Sequence, residues 1–165
     1  MKTLYIVRHA KSSWKNPDLA DFDRPLSKRG KEDAAVMGKR LRKLSVLPDL
    51  IVCSPAKRAR KTAKSIAKQL GYPRKDIQKF DIIYHGMMPD LMDLIRGFDD
   101  SHNKVMLIGH NPDLTSLANM LTDQFVSNIP TCGVVCAEIE VDSWQKVAPR
   151  TARSVYFDYP RKSAP

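Results

Sequence analysis

Four residues in this chain are suited to handling a phosphoryl group: Arg8, His9, Arg58 and His110. A guanidinium is a planar fork that bonds two phosphate oxygens at once and stays charged at any ordinary pH. A neutral imidazole is a competent nucleophile toward phosphorus. Phosphoryl transfer asks a protein chiefly for positioning and for positive charge around the transferring group. Taken singly, each residue has a plainer reading. A histidine near a strand end is usually a polar surface residue, and an arginine at a helix start is usually solvated. The case for chemistry rests on whether the surrounding elements bring all four together.

The hydrophobic pattern predicts strands alternating with helices. Residues 3–8 form a short β-rich run, the first strand. Residues 18–25 are polar and read as a loop. Ser27 is a suitable N-cap for a helix reaching about Leu44. Residues 50–53 read as a second strand. Ser54-Pro55 then reads as N-cap and first helical residue, with Gly71 as the stop of that helix. A third strand is expected over 77–84, a short helix over 89–98 and a fourth strand over 104–109. Asn111-Pro112 repeats the cap-plus-proline device before a helix to about Leu121. Two last strands are expected over 134–141 and 154–159. This order favours an α/β fold, a three-layer α/β/α arrangement with a mostly parallel central sheet. Ligands in such sheets gather at the carboxyl ends of the strands. Arg8 and His9 close the first strand, Arg58 lies in the first turn after the second, and His110 follows the fourth. Three separate segments thus deliver the four residues to one sheet edge.

The chain has 165 residues and 42% apolar content, enough for one domain with a real core. One domain is expected over 1–160, followed by a short C-terminal tail over 161–165. No apolar run approaches the roughly 20 residues of a membrane-spanning helix. No secretory signal is visible, so a cytoplasmic protein is expected and a membrane partner is not. Three cysteines do not make a disulfide framework. Cys53 reads as a buried strand residue. Cys132 and Cys136 have no zinc-type partners, and a strand would put them on one face. No metal or other cofactor is expected, and no nucleotide-binding glycine loop is present.

The formal charge is +10, from 28 Lys and Arg against 18 Asp and Glu. Between Arg24 and Lys75 stand sixteen basic and three acidic residues, leaving twelve basic and fifteen acidic elsewhere. The positive balance therefore lies in one third of the sequence. Lys57, Lys61, Lys64 and Lys68 recur at helical spacing opposite Ala59, Ala63, Ile66 and Leu70, an amphipathic helix with a basic wet side. Solvated helix faces are the simple explanation, and an anion-binding surface is the other. Tyr72 is the lone aromatic of the block, so no base-stacking platform is visible and nucleic acid is not the expected partner.

Four segments carry a family resemblance. Residues 4–12 (Leu-Tyr-Ile-Val-Arg-His-Ala-Lys-Ser) resemble the signature of the histidine phosphatase superfamily, which includes the phosphoglycerate mutases. Residues 23–30, 54–62 and 109–112 resemble its later stretches, in the same order. The short length and the Arg-His-Ala-Lys-Ser-Ser-Trp run resemble the compact SixA-type branch of protein phosphohistidine phosphatases. The resemblance implies a phosphoglycerate mutase-like fold and a phosphatase in which His9 becomes phosphorylated. Arg8, Arg58 and His110 would form the phosphate pocket, and Ser12 matches a serine near it. No metal is implied. The expected partner is a phosphohistidine protein or a small phosphorylated substrate.

The chain departs from the family pattern in three places. Ala10 stands where glycine is usual. Lys15 stands where asparagine is commoner, with Asn16 one position late. The carboxylate that larger members carry after the third strand has no clear counterpart. Tyr84, His85 and Gly86 occupy that region, with His85 the possible acid and Asp81 on the same face of a strand. A site without a strong proton donor suits a leaving imidazole, whose conjugate acid has a pKa of about 6.5, better than an alkoxide. The alternatives are a phosphatase of small phosphate esters, a mutase-like enzyme, or a noncatalytic binder of anions or nucleic acid through the basic block.

Overall fold

A computed structural model of the chain describes residues 1–161. The predicted tail therefore lies outside the described residues, apart from Arg161. The elements run β1 (Lys2–Arg8), α1 (Lys28–Lys43), β2 (Leu50–Cys53), α2 (Lys57–Leu70) and β3 (Gln78–Lys79). They continue with α3 (Ile82–His85), α4 (Met88–Arg96), β4 (Lys104–Gly109), α5 (Asp113–Leu121), β5 (Val134–Ile139) and β6 (Ala152–Asp158). Among the described residues the strands form one sheet in the order β3-β2-β4-β1-β5-β6. The first four of these are parallel to one another, β5 is antiparallel to β1, and β6 is antiparallel to β5. The expected mixed, largely parallel α/β sheet is what forms.

Strand alternation divides the core into two layers. Leu4, Ile6, Val52, Val105 and Leu107 pack with Leu91 and Ile95 of α4 and Leu114, Leu117 and Leu121 of α5. Tyr5, Val7, Ile51, Cys53, Met106 and Ile108 pack on the other face with Met37 and Leu41 of α1 and Ala59, Ala63 and Ile66 of α2. The central strands are buried on both faces, which is why they read as continuous apolar runs. Cys53, Cys132 and Cys136 are all buried and unpaired, and all join the second layer. No helix among the described residues is long and apolar enough to cross a membrane.

Local chemistry sets the helix ends. Ser27 caps α1, its hydroxyl accepting the Gly30 N–H at 3.0 Å. The Ser27 N–H donates to the Lys11 carbonyl, so the cap is pinned against the chain leaving β1. A Cβ on Gly30 would sit 2.0 Å from that same carbonyl oxygen, so only glycine fits there. Gly71 ends α2 in the left-handed region at φ 73°.

Three expectations are corrected. The third strand does not span 77–84: only Gln78 and Lys79 pair with β2. The Phe80 N–H still reaches the Cys53 carbonyl, but β2 ends there, and later N–H groups have no strand to meet. They bond locally instead, Ile83 to Phe80 and His85 to Asp81, and α3 results. Asp81 and His85 are therefore one helical turn apart, not on one strand face. Second, Ser54-Pro55 does not cap α2. Ser54 continues the sheet by donating its N–H to Ile108, and the helix starts at Lys57 with Ala56 as N-cap. Third, α5 starts one residue late, with Pro112 in the cap position. The Asn111 side chain still serves that turn, its Oδ1 accepting from the Thr115 N–H and hydroxyl. The second and fourth strands have the expected bounds, and the remaining bounds shift by at most two residues, the usual fraying of element ends.

Candidate active site

The sheet places β1 and β4 side by side with Arg8 opposite Gly109. The His9 N–H extends that ladder to the Gly109 carbonyl at 3.0 Å, and the Cys132 N–H returns to the His9 carbonyl at 3.0 Å. The next N–H, of Ala10, donates to Thr62 Oγ1 at 2.9 Å, and the Thr62 hydroxyl donates to the Arg58 carbonyl at 2.8 Å. One buried threonine of α2 thus ties the strand exit to the helical turn that carries Arg58. Ala10 is fully buried in the second core layer, so its methyl group is packing rather than obstruction.

His9 is 8% exposed. Its Nδ1 lies 2.7 Å from the Ala10 carbonyl oxygen. A carbonyl only accepts, so Nδ1 carries the hydrogen and Nε2 keeps a lone pair. The Arg58 Nε–H points at that Nε2 from 3.3 Å. Burial, reinforced by the charges of Arg58, Arg8 and Arg24, lowers the His9 pKa to about 4 against the Ala10 hydrogen bond. The ring is neutral at physiological pH.

The His110 ring centroid stands 5.0 Å from that of His9. Its Nε2 is 2.7 Å from Ser54 Oγ, and its buried Nδ1 has no partner among the described residues. Burial, followed by the proximity of His9 and Arg58, lowers its pKa to about 3. Arg8 donates from Nη1 to the Ile129 carbonyl at 2.9 Å, while its buried Nε is unpartnered among the described residues. His9, His110 and Arg58 from three strand exits therefore stand together, and the charge of Arg8 acts on both rings.

A carboxylate joins them. Arg58 donates from Nη1 to the Asp21 carbonyl oxygen at 2.7 Å and from Nη2 to Asp21 Oδ2 at 3.0 Å. The Tyr84 hydroxyl donates to the same Oδ2 at 2.8 Å, and Arg24 Nη1 reaches Oδ1 at 3.2 Å. Burial alone would raise the Asp21 pKa, but hydrogen bonds from Tyr84 and Arg58 and the Arg58 charge bring it to about 2. Tyr84 also stands edge-on to His110, with centroids 5.5 Å apart. Arg24 is itself buried beneath Trp14, its guanidinium carbon 3.2 Å from the ring centroid.

Asp21, Tyr84, Ser54, Arg24 and Thr62 are absent from the sequence-based site. Arg24 lies in a stretch that carried the family resemblance, which was the available signal. Asp21 lay in a segment read only as a polar loop, and Tyr84 in one read as a strand. Ser12 does not touch the four core residues directly; its hydroxyl bonds the Arg24 guanidinium. His85 is exposed and reaches the cup only through Tyr84, with ring centroids 4.8 Å apart. The possible acid is thus one residue removed from the reacting position.

The arrangement is a cationic cup with an imidazole lone pair inside it, suited to a tetrahedral dianion. A family model, histidine phosphatase superfamily (branch 1), matches residues 4–96, more than half of the chain. An uncharacterized chloroplastic protein of Arabidopsis thaliana is 32% identical over 153 residues, covering 88% of this chain and 70% of that protein. An uncharacterized protein of Mycobacterium tuberculosis is 31% identical over 166 residues, 94% of this chain and all of its own length. The crystal structure of a SixA-type protein from Agrobacterium tumefaciens superposes with a TM-score of 0.79 at 28% identity, over 96% of this chain and 98% of that one. With the ordered motifs and the assembled cup, these likenesses establish that the chain belongs to the histidine phosphatase superfamily.

Proposed function

We propose that the protein is a phosphatase that works through a phosphohistidine intermediate on His9 and acts on protein phosphohistidine. The observation that carries this reading is the pairing at His9: Nδ1–H held by the Ala10 carbonyl and Nε2 left as a lone pair beside Arg58. In the first step Nε2 attacks phosphorus, and the bond from phosphorus to the leaving nitrogen breaks. The substrate imidazole, its other ring nitrogen carrying a proton, departs neutral with the bonding pair, and Arg8, Arg58 and Arg24 offset the charge on the transferring oxygens. Ser54 Oγ already accepts the Ala56 N–H, so its own hydrogen is free to donate to His110 Nε2. His110 then carries its hydrogen on Nδ1, as a donor to a phosphoryl oxygen. In the second step water attacks the phosphorus of phospho-His9. The bond from phosphorus to Nε2 breaks, a water proton passes to a phosphate oxygen, inorganic phosphate leaves and His9 recovers its lone pair.

The leaving group follows from Asp21. In the free protein, bonded by Arg58 and Tyr84 and held near pKa 2, its carboxyl is ionised, so it meets the substrate as a carboxylate with no proton to give a departing alkoxide. An imidazole needs far less help, since its conjugate acid has a pKa of about 6.5. The test is a phosphate-release panel with a phosphohistidine peptide, a sugar phosphate and an aryl phosphate, run on the parent and on His9→Ala. The peptide should be turned over with the highest kcat/KM. His9→Ala should lose ~10³-fold or more on every active substrate. Retained turnover in His9→Ala, or equal efficiency on the sugar phosphate and the peptide, overturns the reading.

A further inference from the structure

The flank of α2 turned away from the cup carries a second cationic feature. Arg60 and Lys64, one helical turn apart, face Arg74, Lys75 and Lys79 across a cavity of about 240 Å³. Cys53 and Ile77 complete its lining, and no carboxylate contributes. None of the five cations is ion-paired among the described residues, and Arg60 alone is engaged, its Nε donating to the Pro55 carbonyl at 2.8 Å. The five come from two segments, α2 and residues 74–79, so helical periodicity alone does not explain their meeting. Burial and then the charges of Lys61, Arg60, Arg74 and Lys79 lower the Lys64 pKa. The space is ample for a carboxylate or two.

We infer that this cavity is a docking site for acidic side chains of the phosphoprotein whose phosphohistidine enters the His9 cup. The inference rests on the proposed phosphatase reading for its substrate. Charge complementarity argues for an acidic protein: five unpaired cations demand anions, and no aromatic side chain lines the cavity to stack a base. The geometry sets a spacing. Arg58 and Arg60 are two residues apart, ~200° around the helix at 3.6 residues per turn, so cup and cavity lie on opposite flanks of α2. About one helix diameter, ~10–12 Å, separates them. An extended chain passing over the helix covers that in three to five residues at ~3.3 Å each. Acidic residues three to five positions from the phosphohistidine should therefore be preferred.

The experiment uses the full chain and two phosphohistidine peptides, one with Glu and one with Gln at three to five positions on either side, with phosphoramidate as a small substrate. The parent should favour the Glu peptide by ~10-fold or more in kcat/KM, mainly through KM. The double variant Lys64→Glu/Arg74→Glu should abolish that preference and hydrolyse phosphoramidate at the parent rate. Equal turnover of the two peptides by the parent, or a preference that survives charge reversal, overturns the inference. A binding arm separates it from the catalytic reading. Unphosphorylated labelled Glu peptide is titrated by anisotropy against parent and double variant, with oligouridylate as competitor. If no phosphohistidine substrate turns over, the catalytic reading fails. Loss of Glu-peptide affinity in the double variant then still supports the cavity, and unchanged affinity overturns it. Oligouridylate bound more tightly than the Glu peptide, with a steep salt dependence, also overturns it in favour of nucleic acid.

Discussion

The two flanks of α2 hold cations in opposite ways. On the cup side, Arg58 is 7% exposed and every nitrogen of its fork has a partner: His9 from Nε, Asp21 from both Nη atoms. On the cavity side Lys64, Arg74, Lys75 and Lys79 have no ion pair among the described residues, and the last three are exposed. A buried guanidinium without an acceptor is costly, whereas an exposed ammonium is not. The lesson concerns Asp21. In the free protein it occupies the Arg58 nitrogens that the proposed chemistry assigns to phosphate oxygens. A buried cation can be kept ready for an anionic substrate only if something holds it meanwhile, and a half-exposed carboxylate on the Asp21–Asp23 turn can be displaced.

The largest effect expected from perturbing this contrast is at Arg58. Arg58→Lys keeps a charge but loses the fork that meets His9 and two oxygens at once, so kcat/KM should fall by ~10²–10³-fold. A steady-state series on the phosphohistidine peptide checks it, and a loss under threefold would show that charge alone suffices. Next comes Asp21→Asn, which leaves the fork with a weaker, neutral competitor. Inorganic phosphate should then inhibit more tightly, by up to about tenfold or ~1.4 kcal/mol. A weaker inhibition constant in that variant would show that Asp21 assists phosphate binding instead of occupying its place.

The smallest effect is graded with pH. His9 and His110 have folded pKa values of about 4 and 3, below the ~6.5 of an unfolded imidazole. Above pH 6.5 both states are neutral, and the stability these rings allow is fully present. As pH falls below 6.5 the unfolded chain binds protons that the folded chain refuses, so stability is lost progressively toward pH 4 and below. Ring proton shifts of His9 and His110 should stay constant from pH 7.5 to 5. A midpoint near 6.5 for either ring would mean that the cup is wetter than its burial indicates.

Legibility differed between the parts of the site. His9 and His110 were readable because each directly follows an apolar run, and a parallel sheet sends such residues to one edge. Gly30 and Gly71 were readable in kind, one within a motif and one as a helix stop. Tyr84 was not, because its segment has strand-like composition. Its fate was settled by β2 ending at Cys53, a property of a neighbouring element. Ser54 was misassigned for a related reason. Serine before proline is a good helix cap, but the pull of the sheet ladder through Ile108 delayed the helix and freed the hydroxyl for His110. Asp21 had no local signal at all.

The order of apolar runs, the strand-exit positions of Arg8, His9 and His110 and the excess of basic charge were all properties of the linear chain. They depend on periodicity and composition, which act over a few residues. Which carboxylate meets Arg58, which hydroxyl meets His110 and which lysines share a cavity were decided only by packing. Those pairings join residues 37, 56 and more than ten positions apart, and their partners are selected by where the sheet ends and how α2 lies across it.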